Sequence, residues 1–183
     1  MKEMSLIQIA RACRGTYVGR EDRKNQEVSG VVIDSRLAAP GYLFAAVKGA
    51  RVDGHSFIPT VFAKGAAAVL CEQLPEHPAG PCILVDSTLE AIKRLAEYYR
   101  STLTIPVVGI SGSVGKTSTK EMIASILSQR YQVLKTEGNF NNEIGLPLTI
   151  FRIREENEAA VLEMGISEFG EMTRLARMAR HTI

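Results

Sequence analysis

The stretch VVGISGSVGKTS, residues 107–118, decides the fold of the second half of this chain. An apolar run leads into glycines, then into Gly115, Lys116 and Thr117, and then into a segment whose apolar residues have helical spacing. Glycines let the backbone curl so that its N–H groups point at phosphate oxygens, and the N-terminus of a helix adds partial positive charge. The order of strand, glycine-rich turn and helix therefore predicts a phosphate-binding loop.

The polar residues of this loop have predicted roles. We expect Lys116 to reach the β- and γ-phosphates of a nucleoside triphosphate, and the Thr117 hydroxyl to coordinate Mg²⁺. The candidates for nucleotide binding are Ser111, Gly112, Ser113, Val114, Gly115, Lys116, Thr117 and Ser118. The strict motif has a glycine where this chain has Ile110, so a glycine-rich turn with a surface lysine is the alternative interpretation.

The segments around the loop alternate between strands and helices. The patterns predict strands over 107–111, 132–136 and 159–164, and helices over 116–130 and 168–179. Fully apolar strands that alternate with helices indicate a parallel sheet covered by helices. The predicted packing face of the first of these helices consists of Met122, Ile123, Ile126 and Leu127.

The predicted strand 159–164 carries one carboxylate near its end, Glu163. Because the carboxyl ends of parallel strands meet at the same edge of a sheet, we expect Glu163 to lie beside the phosphate loop. Glu163 is therefore a candidate catalytic residue and Mg²⁺ ligand together with Thr117. The alternative is a glutamate that caps the next helix.

An asparagine-rich loop, GNFNNEIGLPLT at residues 138–149, follows the predicted strand 132–136. Amide side chains offer hydrogen-bond donors and acceptors without charge. Asn139 and Asn142 are therefore candidates to orient a nucleotide or a substrate, with ordinary turn chemistry as the alternative.

The first hundred residues predict a small mixed α/β unit. Strands are predicted over 28–33, 42–47, 66–71 and 82–85, and helices are predicted to follow Ser5, Ser56 and Ser87. A short Thr/Ser/Pro stretch at 101–106 follows the last helix, and the character of the pattern changes there. We place the domain boundary in this stretch, which gives domains over 1–103 and 104–183.

Composition excludes several classes of protein. The chain has 183 residues, of which 45% are hydrophobic and 23% charged, and its net charge is +2. Such a balance excludes wholesale disorder and gives no basic footprint for nucleic acid or an anionic membrane. No apolar run approaches the roughly 18–20 residues that cross a bilayer, and the N-terminus does not have the pattern of a signal peptide. Three cysteines without a CxxC pair, Cys13, Cys71 and Cys82, predict buried thiols in a reducing, cytoplasmic setting.

Three motifs, SGSVGKTS, GNFNNEIGLPLT and LEMGISEFGEM, occur in an order and spacing that resemble the Mur ligases. These are ATP-dependent, amide-forming enzymes of peptidoglycan precursor synthesis. Their phosphate loop has the shorter glycine spacing of this chain, Gly112-x-x-Gly115-Lys116-Thr117. The asparagine-rich motif resembles the branch that adds D-alanyl-D-alanine to UDP-N-acetylmuramoyl-tripeptide. The resemblance implies ATP and Mg²⁺ as cofactors, with Lys116 and Glu163 as catalytic residues.

The first half of the chain resembles the N-terminal domain of the same family. The matching motifs are IDSR at 33–36, PGYLFAAVKG at 40–49 and DGHSF at 53–57. This domain holds the UDP-sugar end of the substrate, so the resemblance implies that Ser35, Arg36, Lys48 and His55 lie near it. Without the resemblance, residues 34–36 would be an ordinary strand-end turn and His55 a surface histidine at a helix start.

The resemblance implies an α/β protein, in which a UDP-substrate domain precedes the first part of a P-loop ATPase domain. Members of the family are longer, so we expect that the ATPase domain is truncated here and that this chain alone does not catalyse ligation. We also expect a cytoplasmic monomer. Two alternatives stay open. One is another ligase of the superfamily, either the sister that adds the third peptide residue or a folylpolyglutamate synthetase-like enzyme. The other is a non-catalytic fragment that binds nucleotide or UDP-sugar.

Overall fold

A computed structural model describes residues 1, 4–49, 52–166 and 168–183, which fall into two compact units, Met1–Leu95 and Ala96–Ile183. Both units are α/β, as the sequence predicts, and the helix α3 (Thr88–Ser101) contains the point of division. Ser167, which belongs to the third motif, lies outside the described residues. No helix of the described residues combines the length and the apolar character needed to cross a membrane.

The first unit is a five-stranded sheet with helices. Its elements are α1 (Leu6–Cys13), β1 (Thr16–Val18), β2 (Gly30–Val32), β3 (Tyr42–Ala45), α2 (Ile58–Ala63), β4 (Ala68–Cys71) and β5 (Cys82–Leu84). The strand order is β1-β5-β4-β3-β2, and β2 to β5 are parallel. The carboxyl ends of β2, β3 and β4 therefore share one edge, which collects the loops that follow them.

The strand β1 was not predicted. It has three residues, none of them buried, and it pairs antiparallel with β5 in the register Tyr17↔Ile83. A run of three residues is too short to show an alternating pattern, so its sequence does not predict a strand. It becomes a strand because it pairs with the edge of β5. The predicted capping box of α1 is present, because Ser5 and Gln8 exchange hydrogen bonds between side chain and backbone.

The second unit is a three-stranded parallel sheet. Its elements after α3 are β6 (Val107–Ile110), α4 (Lys116–Leu127), β7 (Val133–Lys135), α5 (Gly145–Ile150), β8 (Ala159–Glu163) and α6 (Glu171–Ala179). The order is β6-β8-β7, so β8 is central and all five of its residues are buried. Thr182 and Ile183 lie along the other edge of β6, where Thr182 N donates to Val107 O (2.8 Å) and Gly109 N donates to Ile183 O (3.0 Å).

The prediction for the packing face of α4 is half wrong. Met122 and Ile126 are 66% and 71% exposed, whereas Ile123 and Leu127 pack against the buried cluster that contains Ile110 and Val161. The face toward the sheet is the stripe at i, i+3, i+4 and i+7 that consists of Lys120, Ile123, Ala124 and Leu127. A lysine heads this stripe, and for that reason the apolar pattern alone selected the wrong side.

The three cysteines are free and buried, as predicted. Burial raises the pKa of the Cys13 thiol to about 12, so that this thiol stays protonated at neutral pH. Cys71 and Cys82 belong to the core beneath the first sheet, together with Phe44 and Val69.

Candidate active site at the end of strand β8

The loop between β6 and α4 has the shape of an anion-binding turn. Gly112 and Gly115 have φ angles of +143° and +78°, a region that side chains other than glycine rarely adopt. Gly115 is the N-cap residue of α4, and within the described part of the chain no side chain caps this N-terminus. The first N–H groups of a helix lack intrahelical partners, so they can donate to an anion.

Lys116, the first residue of α4, folds back over this loop. Its Nζ donates to the carbonyl oxygen of Gly112 at 2.7 Å, and residues 111–115 are exposed. The ammonium group therefore lies at the mouth of the loop, in the position from which a phosphate oxygen could replace the carbonyl as its acceptor.

Glu163, the last residue of β8, lies beside the same loop. The register pairs Ile110 with Glu163, so the carboxylate is level with the end of β6 and the start of the loop. Thr117 Oγ1 donates to the carboxylate, at 3.1 Å from Oε2 and 3.3 Å from Oε1. The prediction that Glu163 lies next to the phosphate loop is confirmed by this contact.

Glu163 is 2% exposed, and three further groups hold it in place. Asn141 Nδ2 donates to Oε1 at 2.9 Å, and Lys120 Nζ lies 3.4 Å from Oε2. The backbone N–H of Glu163 donates to the hydroxyl of the buried Thr136 at 3.0 Å. A buried carboxylate needs such partners because burial otherwise disfavours its charged form.

The asparagine-rich loop reaches Glu163 because it packs closely against the end of β8. Gly165 N donates to Asn141 O at 2.8 Å. A Cβ atom on Gly165 would lie 3.0–3.1 Å from the amide atoms of the Asn141 side chain, so a side chain at this position would have to displace that amide by a few tenths of an ångström. This packing brings the Asn141 side chain to the carboxylate of Glu163, a strand-end residue 22 positions later in the chain.

The donor set at this point fits Mg²⁺. Thr117 and Glu163 present a hydroxyl and a carboxylate, which are hard oxygen ligands, and the two groups are in contact. Mg²⁺ binds in proteins through one or two such ligands, several waters and the phosphates of a nucleotide. The chemistry of these residues therefore agrees with their predicted role as metal ligands.

In the first unit, Arg36 and Ser35 form a short turn after β2. Asp34 caps a 3₁₀ turn over Ser35–Leu37 and accepts hydrogen bonds from the Arg36 backbone N–H (2.9 Å) and from its guanidinium (2.6–3.0 Å). The hydrogen bonds from the Arg36 guanidinium, followed by the one from its backbone N–H, lower the pKa of Asp34 to about 2. Lys64 Nζ donates to the carbonyl oxygen of Ser35 at 2.9 Å.

Lys48 and His55 follow β3, the neighbouring strand. Glu72 N donates to His55 Nε2 at 2.9 Å, so the hydrogen is on Nδ1, which lies 2.7 Å from Asp53 Oδ1. The backbone N–H and ring of His55 lower the pKa of Asp53. Lys48 is exposed, and its backbone pairs with that of Asp53 in an isolated antiparallel β-bridge. All four residues predicted to contact the UDP-sugar therefore follow β2 or β3, at the shared edge of the sheet.

Comparison with known proteins gives the same family for both units. The description "Mur ligase family, catalytic domain" matches residues 27–100, and "Mur ligase middle domain" matches residues 110–183. The UDP-N-acetylmuramoyl-tripeptide–D-alanyl-D-alanine ligase of Bacillus subtilis is 44% identical over 181 residues, which are 98% of this chain and 39% of that protein.

Solved structures of relatives resemble this chain, among them two MurF structures. MurF from Acinetobacter baumannii has a TM-score of 0.88 at 32% identity, over 97% of this chain and 39% of its own. MurF from Thermotoga maritima in complex with ADP has a TM-score of 0.74 at 37% identity, over 82% of this chain and 35% of its own. This chain belongs to the Mur ligase family. It spans about two fifths of the length of the relatives that it matches.

For this Mur ligase chain, the predictions from sequence included some residues of the site and missed others. Lys116, Thr117 and Glu163 are brought together, and their predicted roles in binding stay predictions. Of the three asparagines, the sequence selected Asn139 and Asn142. In the structure Asn139 is exposed, and Asn142 Oδ1 accepts from the backbone N–H groups of Ile144 (3.1 Å) and Gly145 (2.8 Å) at the start of α5.

Three residues of the Glu163 cluster were missed: Asn141, Thr136 and Lys120. A signal existed for Lys120, because a lysine at the head of an otherwise apolar helical stripe must find a buried partner. No signal in the sequence separates Asn141 from its neighbours, since the choice depends on how the loop packs against Gly165.

Proposed function

We propose that this chain carries the UDP-substrate and ATP-phosphate sites of a MurF-type ligase, which joins D-alanyl-D-alanine to UDP-N-acetylmuramoyl-tripeptide. The observation that carries the proposal is the contact of Thr117 with Glu163 at the mouth of the phosphate loop. The names of the relatives favour this ligase over the sister ligase and over a folylpolyglutamate synthetase-like enzyme.

The chemistry requires activation of an acid. A carboxylate does not condense with an amine at neutral pH because it has no adequate leaving group. In the proposed reaction the terminal carboxylate of the tripeptide attacks the γ-phosphorus of ATP, which gives an acyl phosphate and releases ADP. The amino group of D-alanyl-D-alanine then attacks the acyl carbon, phosphate leaves, and the amine loses a proton. Catalysis of such a transfer is largely positioning and charge neutralisation.

The residues of the second unit would supply both. The backbone N–H groups around residues 112–117 would hold phosphate oxygens, and Lys116 would neutralise the γ-phosphate. Thr117 and Glu163 would hold Mg²⁺, which when bound supplies further positive charge at the phosphates. Asn142 Oδ1 accepts the hydrogen bonds that hold the turn, so its Nδ2 would be the group that donates to nucleotide or substrate, and the side chain of Asn139 is exposed.

The edge of the first unit would take the UDP-sugar end of the substrate. The charged groups Arg36 and Lys48 are both exposed at this edge, where they can meet a pyrophosphate. Ser35 lies in the same turn as Arg36. His55 has protein partners on both ring nitrogens, so it would act by fixing the loop after β3 in place.

The test is calorimetric titration of the 183-residue chain with Mg·ADP and, separately, with UDP-N-acetylmuramoyl-tripeptide. We expect saturable binding of each ligand. Glu163→Gln should remove the contribution of Mg²⁺ to ADP binding, and the double variant Arg36→Gln/Lys48→Gln should lose binding of the UDP-substrate. Each variant is the control for the other ligand. We also expect no amide formation by these 183 residues alone. Absence of binding by the folded wild-type chain would overturn the proposal.

A further inference from the structure

Lys120 is a buried cation that the proposed reaction does not use. It lies on α4 one turn after Lys116, and it is 2% exposed. Its Nζ lies 3.4 Å from Glu163 Oε2 and 3.4 Å from Glu121 Oε1. A buried ammonium is costly unless an anion compensates it, so the position of Lys120 requires an explanation.

Glu163 is the buried partner of Lys120, and Glu121 is not. Glu121 is exposed, and the largest contribution to the lowered pKa of its carboxyl is the hydrogen bond from Lys135. Glu163 is as deeply buried as Lys120 itself. The two buried charges therefore balance each other inside the unit, while Glu121 pairs with both Lys120 and Lys135 at its surface.

The Glu163 carboxylate has a partner on each oxygen. Asn141 donates to Oε1, Lys120 lies against Oε2, and Thr117 Oγ1 is within 3.3 Å of both. Lys120 supplies the only full positive charge among these three side chains. Lys120 and Thr117 both lie on α4, three residues apart, so the two side chains approach the carboxylate from the same helix.

We propose that Lys120 is a placeholder cation for the metal site. It compensates Glu163 when no metal is bound, and its charge then opposes the arrival of Mg²⁺ at Thr117 and Glu163. This inference rests on the proposed nucleotide site. Its consequence is that Lys120 limits the affinity for Mg²⁺, because a second cation near the same carboxylate gains less energy than the first. Lys120 is a positioning residue, since it acts through Glu163.

The experiment compares ADP binding with Mg²⁺ and with EDTA in the wild type, Lys120→Met and Lys120→Arg. In Lys120→Met the carboxylate lacks its compensating charge, so we expect Mg²⁺ to raise the affinity for ADP at least about tenfold more than in the wild type. Lys120→Arg keeps the charge and should match the wild type. A gain from Mg²⁺ that is unchanged or smaller in Lys120→Met overturns the inference. An equal loss of ADP affinity with and without Mg²⁺ also overturns it, because Lys120 would then contact phosphate.

A double variant keeps the test valid if Lys120→Met does not fold. Lys120→Met/Glu163→Gln removes both buried charges, so it should fold, and Mg²⁺ should no longer change its affinity for ADP. If the double variant folds and Lys120→Met does not, the pairing of Lys120 with Glu163 is supported. If neither variant folds, the pairing is overturned. If the wild type binds no ADP under either condition, the proposed function fails, and the folding of these variants still tests the pairing of Lys120 with Glu163.

Discussion

Two carboxylates at the ends of parallel strands, Asp34 and Glu163, are held in opposite ways. Asp34 is held by Arg36, two residues away, and the Arg36 side chain is 87% exposed. Glu163 is buried, and its partners Thr117 and Asn141 are 46 and 22 residues away. The first contact is local and open to solvent, whereas the second exists only when the sheet and two loops are assembled.

This difference indicates what each contact can do. An exposed ion pair contributes little to stability and can be exchanged for a ligand at small cost, which suits a surface that captures a charged substrate. Removal of one partner of a buried ion pair leaves an uncompensated charge, which is strongly destabilising. A change of charge beside such a pair should therefore have a large energetic effect. We therefore expect changes to the buried contacts of the second unit to have large effects, and changes to the exposed pair of the first unit to have small effects on stability.

The largest effect is expected at Lys116, which is compared with Lys64, a lysine that has an equivalent contact. Lys116 Nζ donates to Gly112 O, and Lys64 Nζ donates to Ser35 O, so each lysine binds a carbonyl of a strand-end loop. Lys116→Ala should weaken Mg·ADP binding about tenfold to a hundredfold, or about 1.4–2.8 kcal/mol, because a charge-assisted bond to phosphate is lost. Calorimetric titration measures the change.

Lys64→Ala is the matched control. It should leave Mg·ADP binding within error of the wild type, since its carbonyl partners lie in the other unit. Equal weakening by the two variants would remove the distinction between the two loops.

The next effect compares a buried arginine with an exposed one. Arg100 is buried and donates to four backbone carbonyls, those of Leu103 (2.8 Å), Ala179 (3.0 Å), Ile105 (3.2 Å) and Arg180 (3.2 Å). Arg100→Met should lower the free energy of unfolding by about 1–2 kcal/mol, because it leaves buried carbonyls without donors. Urea unfolding followed by circular dichroism measures this change.

Arg36→Met serves as the exposed counterpart in the same unfolding experiment. It should leave the unfolding midpoint unchanged within error, because its pair with Asp34 is exposed to solvent. If Arg36→Met were as destabilising as Arg100→Met, burial would not be the property that separates the two units.

The smallest effect is expected at Asp34, whose titration should be detectable although it changes the stability too little to measure. The guanidinium and the backbone N–H of Arg36 lower the pKa of Asp34 to about 2. A lowered pKa means that the contact contributes fully above the unfolded value of about 3.9 and is lost as the pH falls through about 2. Carbon-13 NMR of the Asp34 carboxyl should show a midpoint near pH 2.

Arg36→Gln should raise that midpoint, although the backbone N–H at position 36 still donates and keeps the midpoint below the ordinary value. Lys64→Gln should move it much less, since Lys64 makes the smallest contribution to the shift. An unshifted midpoint in Arg36→Gln would contradict the local origin of the contact.

Local patterns were sufficient wherever a few neighbouring residues carry the information. The strand, loop and helix at 107–127, the central strand β8 and the capping box of Ser5 could all be predicted, because apolar spacing, glycine and capping chemistry act within a few residues. Predictions failed for β1, which exists only as a partner of β5, and for half of the packing face of α4. In both, the deciding contact comes from elsewhere in the chain.

The sequence by itself determined the α/β class, the phosphate loop with Lys116 and Thr117, the placement of Glu163 beside it, and the membership of the Mur ligase family. Only the tertiary structure decided that Asn141, Thr136 and Lys120 surround Glu163. The reason is that a buried charge takes its partners from whichever loops and helices the sheet brings within a few ångströms, and that proximity is a property of packing.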